Sequence, residues 1–366
     1  MHCKNDRISH PNDRRKSFRN RTNCAQFCKN SLHELRWHVG IICVASCSVL
    51  FMNGLVVHQG TDAKANLKLH YINGEEFRSY QHSAQVTVVS SMYFINQFSK
   101  HSEQEYEKWF ENFVSATDAG KVVFTDLVSF HKLKKIIEGG ESLAFTWLNL
   151  CAAPNVKRFQ NEYMFEQQKL DIEANVHSPL LYCIWNSKPW MLKSVAEQNP
   201  FSSEFFLWAD AGSFRQNIWT RWPNASLLHR IFDQIASKTK KEMILGLIGC
   251  PRGKSKDFHV SGAKEDIIQG GFFGGKKDGI VQFTKLFYSM HDDLIMKGLF
   301  VGKEQTLLNL LILKDPNLYI ALDTTQSCGD PWFFFQQALS IKEVDRCNVT
   351  LQQAFKPLTD LCEIPN

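Results

Sequence analysis

No two cysteines of this chain stand at C-x-x-C spacing, which excludes a zinc ribbon or finger. There is no G-x-S-x-G elbow, so a serine hydrolase of that build lacks its nucleophile. No G-x-G-x-x-G fingerprint lies near the first apolar strand, which removes the dinucleotide-binding turn. Internal repeats and a long Pro/Ser-rich linker are also missing. Past residue 36 an excess of one charge is missing too. Of 42 Lys and Arg and 37 Asp and Glu, nine basic and three acidic side chains fall in residues 1–36, leaving 33 against 34 in the rest. A body so close to neutral makes no footprint for nucleic acid. With 366 residues and 44% hydrophobic side chains, the chain has enough apolar material for a core, and disorder is excluded.

What is present begins with that basic tail, followed by VGIICVASCSVLFMNGLVV, an apolar run from Val39 to Val57 with no ionisable side chain. A helix over it is about 28 Å long at 1.5 Å per residue, close to the hydrocarbon thickness of early secretory membranes. The run is longer than the apolar part of a cleavable signal peptide, and its positive flank faces the cytosol. These features predict a cytosolic tail over 1–36, a type II signal anchor over 37–58, a stem over 59–84 and a lumenal domain over 85–366, in the Golgi or endoplasmic-reticulum membrane. Six cysteines lie beyond the span: Cys151, Cys183, Cys250, Cys328, Cys347 and Cys362. An oxidising lumen would pair them, Cys328 with Cys347 or Cys362 being the favoured bridge. Asn224 and Asn348 head lumenal N-x-S/T sequons and are candidates for glycosylation.

Beyond residue 85, short β-branched runs alternate with longer helical patterns, which argues for a mostly parallel, Rossmann-like α/β sheet flanked by helices. Gln85–Ile95 reads as a buried strand and loop, and Lys121–Asp126 as a second strand. Between them, Glu103–Thr117 places Tyr106, Phe110, Phe113 and Val114 on one helical face, completing a βαβ unit. Further strands are read at Leu180–Ser187, Glu204–Gly212 and Glu242–Gly249, with a helix over Ser226–Lys241 between the last two. Ile267–Ile295 reads as a glycine-rich turn leading into a helix, and Glu304–Leu313 as another helix.

Three segments carry chemistry. In FLWADAGSFR, an apolar strand ends at Asp210, which puts a carboxylate at the carboxyl edge of the sheet, where open α/β sheets bind ligands. That carboxylate either holds a divalent cation or caps a turn. QGGFFGG, from Gln269 to Gly275, offers close backbone approach and an aromatic pair, as a sugar pocket would, or forms an ordinary hairpin. No Gly-Lys-Ser/Thr ends it before the helix, so it is not a P-loop. GKEQTLLN puts Glu304 and Gln305 at a helix start, where they face a reacting centre or serve the cap.

Taken in order, VTVVSSMYFI, KWFENF, VVFTD, YCIWNSKP, NPFSSEFFLWADAGSFR, GGFFGG and GKEQTLLN resemble the HtrL/YibB-like family, itself similar to nucleotide-sugar glycosyltransferases of the A-type fold. The succession of glycine-rich turn, helix and acid-Gln helix also resembles glycosyltransferase family eight. Here Asp210-Ala211-Gly212 stands for that family's Asp-x-Asp, and Glu304-Gln305-Thr306 for its acid-Gln-acid. The resemblance implies that Ser90, Ser91, Tyr93 and Asp126 line the nucleotide and that Lys188 and Arg215 neutralise the diphosphate. Asp210 with Gly212 would take a divalent cation, Mn2+ or Mg2+, or the ribose. Gly270, Gly271, Phe272, Phe273, Gly274 and Gly275 would line the sugar and acceptor pocket, with Glu304 or Gln305 near the anomeric carbon. The implied activity moves a sugar from a nucleotide-diphosphate donor to a glycan, lipid or protein acceptor. The alternative is a non-catalytic carbohydrate-binding or interaction protein on the same fold.

Overall fold

The computed structural model describes residues 67–71, 84–95, 101–140, 142–157, 162–216, 222–236, 242–250, 267–340 and 349–362. The tail, the apolar run, most of the expected stem, Cys347 and Asn348 lie outside the described residues. Among the described residues no helix is long and apolar enough to cross a membrane.

Nine strands form one sheet: β1 (His70–Tyr71), β2 (Val86–Ser91), β3 (Gly120–Thr125), β4 (Leu143–Trp147), β5 (Phe205–Ala209), β6 (Met243–Leu247), β7 (Ile268–Lys276), β8 (Tyr319–Asp323) and β9 (Phe355–Pro357). Their spatial order is β1-β4-β3-β2-β5-β7-β6-β8-β9. The pairs β2–β3, β2–β5, β3–β4 and β6–β8 are parallel, while β1–β4, β5–β7, β6–β7 and β8–β9 are antiparallel. The sheet is therefore mixed rather than mostly parallel. Besides the antiparallel edge strands β1 and β9, the cause is β7, which slots between β5 and β6 in the opposite sense.

That strand is the segment expected to be a glycine turn. Its glycines serve strand packing: a Cβ at Gly274 would collide with the Phe206 carbonyl, and one at Gly275 with the Glu242 carbonyl. Period-two alternation splits the strands between the two faces. Phe205, Leu207 and Ala209 join one core, and Phe206 and Trp208 the other.

Helices cover both faces. On the first lie α1 (Glu103–Ala116), begun by a Ser102/Glu105 capping box, and α2 (Leu127–Glu138), capped by Asp126. The second is covered by α3 (Pro179–Gln198), α4 (Lys277–Met296) and α5 (Glu304–Lys314).

Leu180–Ser187, expected as a strand, is the first half of α3. Ser178 caps that helix and Pro179 occupies its first turn, while Tyr182, Cys183, Asn186 and Ser187 are all buried. These buried positions make one helical face, but Leu180, Leu181, Ile184 and Trp185 on the other side are apolar as well, so the run shows no period that separates strand from helix. Of the expected helix over 226–241, Ala225–Ile231 is α-helical and Phe232–Ala236 widens into a π-turn, while 237–241 lie outside the described residues.

Disulfides join Cys151 to Cys183 and Cys250 to Cys362. The second overturns Cys362 as a partner of Cys328, which is itself disulfide-bonded. The chain after β9 turns over β8 toward the end of β6, and Cys250 lies there. The two closed loops differ in span, 112 residues against 32. Replacing both cysteines of the longer one by serine is expected to cost about 1 kcal/mol more than the same change in the shorter. Parallel urea titrations of the two double variants measure that difference.

Candidate functional site

β5 runs apolar and fully buried to Ala209, and the next residue is Asp210. The Asp210 N–H donates to the Gly271 carbonyl at 2.9 Å, which pins the strand tip to the start of β7. Its side chain, 37% exposed, leaves the core and enters a cleft. The Trp208 indole N–H donates to Oδ1 at 2.7 Å, and the Lys188 ammonium donates to Oδ2 at 3.0 Å.

Lys188 is the meeting point of the site. It comes from the middle of α3 and is 1% exposed. Besides Asp210, Nζ donates to the Gly270 carbonyl at 2.9 Å and to Glu304 Oε1 at 2.7 Å. Position 270 must be glycine for this: a Cβ there would overlap the Glu304 carboxylate. Burial drives the Lys188 pKa down, but Asp210 and then Glu304 outweigh it, and the ammonium is held above its ordinary value. Burial also raises Glu304, and the pull of Lys188 in the other direction does not cancel it. The cluster thus has a fixed cation and a carboxyl that binds its proton more readily than in water.

Two devices hold Lys188 in place. The Asn186 amide, two residues back on α3, donates to the carbonyls of Val301 and Gly302 at 3.1 and 2.8 Å, tying α3 to the loop that presents Glu304. Pro189 interrupts the helix ladder, and the Tyr288 hydroxyl fills the gap. It accepts from the Trp190 N–H at 3.2 Å and donates to the Asn186 carbonyl at 2.7 Å, the pair that an unbroken helix would bond directly. Tyr288→Phe is expected to lower stability by about 1–3 kcal/mol, because two backbone groups lose their partner inside the protein. Urea titration measures the loss.

The cleft has a volume of about 290 Å³ and opens at the carboxyl ends of β2 and β5, between α1 and α3. Of the residues expected there, Ser91, Tyr93, Lys188, Asp210 and Gly212 line it. Tyr106 and Trp185 add aromatic surface. The Tyr93 hydroxyl donates to the Leu148 carbonyl at 2.9 Å, and burial raises its pKa far above the phenol value.

The others stand elsewhere. Ser90 is buried and accepts from the Ala211 N–H, while Asp126 caps α2 through the Ser129 N–H. The Arg215 guanidinium packs over the Trp109 and Phe333 rings at 4.8 and 5.0 Å. Phe272 stacks on Phe335 and Phe273 lies against Trp208, both fully buried, so the expected aromatic pocket wall is core. Gln305 donates to the Ile268 carbonyl at 2.9 Å and supports β7. Asn224 caps the helix Ala225–Ile231.

The sequence offered no signal for His177. It lines the cleft with 6% exposure, and its Nδ1 lies 2.9 Å from Asp171 Oδ2, which also accepts from the Tyr182 hydroxyl at 2.6 Å. Burial works against the Asp171 carboxylate, but its hydrogen bonds from Tyr182, the Glu173 backbone and His177 hold its pKa below the ordinary value. Its Nε2 lies 3.9 Å from Glu173 Oε2, so a carboxylate stands near each ring nitrogen of His177.

A divalent cation, expected at Asp210, does not fit the residues present. Both carboxylate oxygens accept from protein donors, one of them an ammonium, and no group of three metal-ligating side chains occurs among the described residues.

The HtrL_YibB family model, described as a bacterial protein of unknown function, matches residues 156–336, a span that takes in Lys188, Asp210, Gly270 and Glu304. The resemblance read from the sequence is borne out. No curated protein matches the chain. Among solved structures, mouse xyloside xylosyltransferase 1 in its apo form is similar at 11% identity with a TM-score of 0.42, covering 74% of this chain and 97% of that one. A 4-diphosphocytidyl-2C-methyl-D-erythritol synthase from Anaerococcus prevotii is similar at 10% identity with a TM-score of 0.29, covering 63% and 83%.

Proposed function

We propose that this chain transfers a glycosyl group from a nucleoside-diphosphate donor to an acceptor hydroxyl, in the cleft in front of Asp210. One observation carries the reading: the strand-tip carboxylate, the double-glycine segment and the acidic helix start converge on Lys188 at the sheet edge where α/β folds bind ligands. Tyr93, Tyr106 and Trp185 give a small polar ligand apolar faces to lie on. In the transfer, the acceptor oxygen bonds to the anomeric carbon while the bond from that carbon to the diphosphate oxygen breaks. The acceptor proton passes to His177, and the nucleoside diphosphate leaves with the bonding electrons.

The reading also places the chain in the secretory membranes as a type II protein, supported by the apolar run 39–57 and by disulfides, which persist in an oxidising lumen. Full-length protein in detergent is incubated with a panel of UDP- and GDP-sugars, following donor hydrolysis by release of UDP or GDP and donor contact by saturation-transfer NMR. Turnover or contact with one of them is expected; silence across the panel defeats the reading. For topology, glycosidase treatment of the cell-made protein should increase its gel mobility, and Asn224→Gln with Asn348→Gln should abolish that change.

A non-catalytic carbohydrate-binding role is favoured by one observation only. All three N–H donors of Lys188 are already engaged by protein acceptors, as in a structural cluster.

A further inference from the structure

We infer that Lys188 is the site's own cation: its ammonium stands where a divalent metal would stand among Asp210, Glu304 and the Gly270 carbonyl, and the chain works without one. This rests on the glycosyl-transfer reading for its purpose, although not for its geometry. Three oxygens, two from carboxylates and one from a carbonyl, surround one nitrogen at 2.7 to 3.0 Å. Hard oxygen donors of that kind are what Mg2+, Mn2+ or Ca2+ would bind. Here they come from three separate segments, and a lysine from a fourth reaches between them.

The arrangement is built rather than incidental. Lys188 is 1% exposed, so its charge cannot turn away to water. The helix carrying it is bridged around Pro189 by Tyr288, and the absence of a side chain at Gly270 makes room for Glu304. A divalent ion added beside the ammonium would meet a like charge at hydrogen-bond range, with the Asp210 oxygens already shared by an indole N–H and the lysine. The charge balance that other sites obtain from solution is thus covalently attached, always present and beyond the reach of chelators.

Removing the ammonium should turn the cluster into a metal site. Mn2+ binding to full-length protein is followed by electron paramagnetic resonance, with and without UDP, for wild type, Lys188→Ala and Asp210→Asn. The wild type is expected to hold no Mn2+ in either condition, and its melting temperature should not move with EDTA. Lys188→Ala should bind Mn2+ at least ~10-fold more tightly than wild type and regain melting temperature when Mn2+ is added. Lys188→Ser, which keeps an oxygen in the gap, replaces it if the alanine variant does not fold.

A wild type that binds Mn2+ and loses it in Asp210→Asn overturns the inference. Folded Lys188→Ala and Lys188→Ser proteins that ignore Mn2+ also overturn it. If neither variant folds, the wild-type titration decides. None of these readouts uses turnover. A failed sugar assay leaves them standing, and a metal-binding wild type would leave the transfer reading intact as a metal-dependent one.

Discussion

Lys188→Met should lower folding stability by about 3–5 kcal/mol, the size expected when one member of a buried ionic cluster is removed and its partners stay behind. Methionine matches the length of the lysine stem, so the lost packing is small and the change isolates the charge. What remains is a pair of carboxylates, Glu304 buried and Asp210 part-buried, facing a carbonyl with no donor between them. Urea titration monitored by tryptophan fluorescence gives the magnitude. Adding Glu304→Gln to the variant should recover a large share of the loss, since the amide replaces a buried charge with a neutral donor.

The sign of the pH dependence follows from Glu304. Its folded pKa lies above the ordinary 4.5 because burial disfavours the anion. The folded state therefore binds this proton more tightly than the unfolded chain. The stabilisation it brings is complete below about pH 4.5 and fades as pH rises through the folded value. Without the ammonium the anion is less favoured still, and the deficit of Lys188→Met should shrink on acidification. A deficit that stays constant between neutral pH and pH 4 would contradict the charge account and leave only packing.

Asp210→Asn should reduce turnover of the preferred donor by about 10²- to 10³-fold, a loss typical of removing one preorganised electrostatic group from an active site. Stability should change far less, because the side chain is 37% exposed and the asparagine oxygen can still accept from Trp208 or Lys188. The measurement is kcat and KM for the sugar donor, beside a melting curve. A fall in kcat with an intact melting temperature supports a role for Asp210 at the reacting centre. Glycan binding that survives in a protein with no activity, variant or wild type, supports the binding-module reading instead.

Several elements could be read because local chemistry specifies them. Val86–Ser91, Gly120–Thr125, Phe205–Ala209 and Met243–Leu247 are short apolar runs with turn residues at their ends, and all are strands. Glu103–Ala116 carries its stripe of aromatics and its Ser102/Glu105 cap, and it is a helix. Two segments differ from what their composition predicts. Leu180–Ser187 carries apolar side chains on its cleft side as well as its buried side, and Gln269–Gly275 is buried on both faces of the sheet, so neither shows a clear period. Glycines that look like a turn are, in β7, the condition for a strand to fit between two others.

The sequence by itself determined that a carboxylate ends the β5 strand, that glycines stand at 270 and 271, that an acid opens the helix at 304, and that an apolar run follows a basic tail. Such features depend on neighbours a few residues away, through backbone period, capping and charge. Only the tertiary structure decided that Lys188 joins Asp210, Gly270 and Glu304 across 22, 82 and 116 residues, and that His177, bonded to Asp171, stands in the wall of the same cleft. Contacts over such separations leave no periodic mark on the chain, because they exist only after the sheet and its covering helices have brought those segments to one edge.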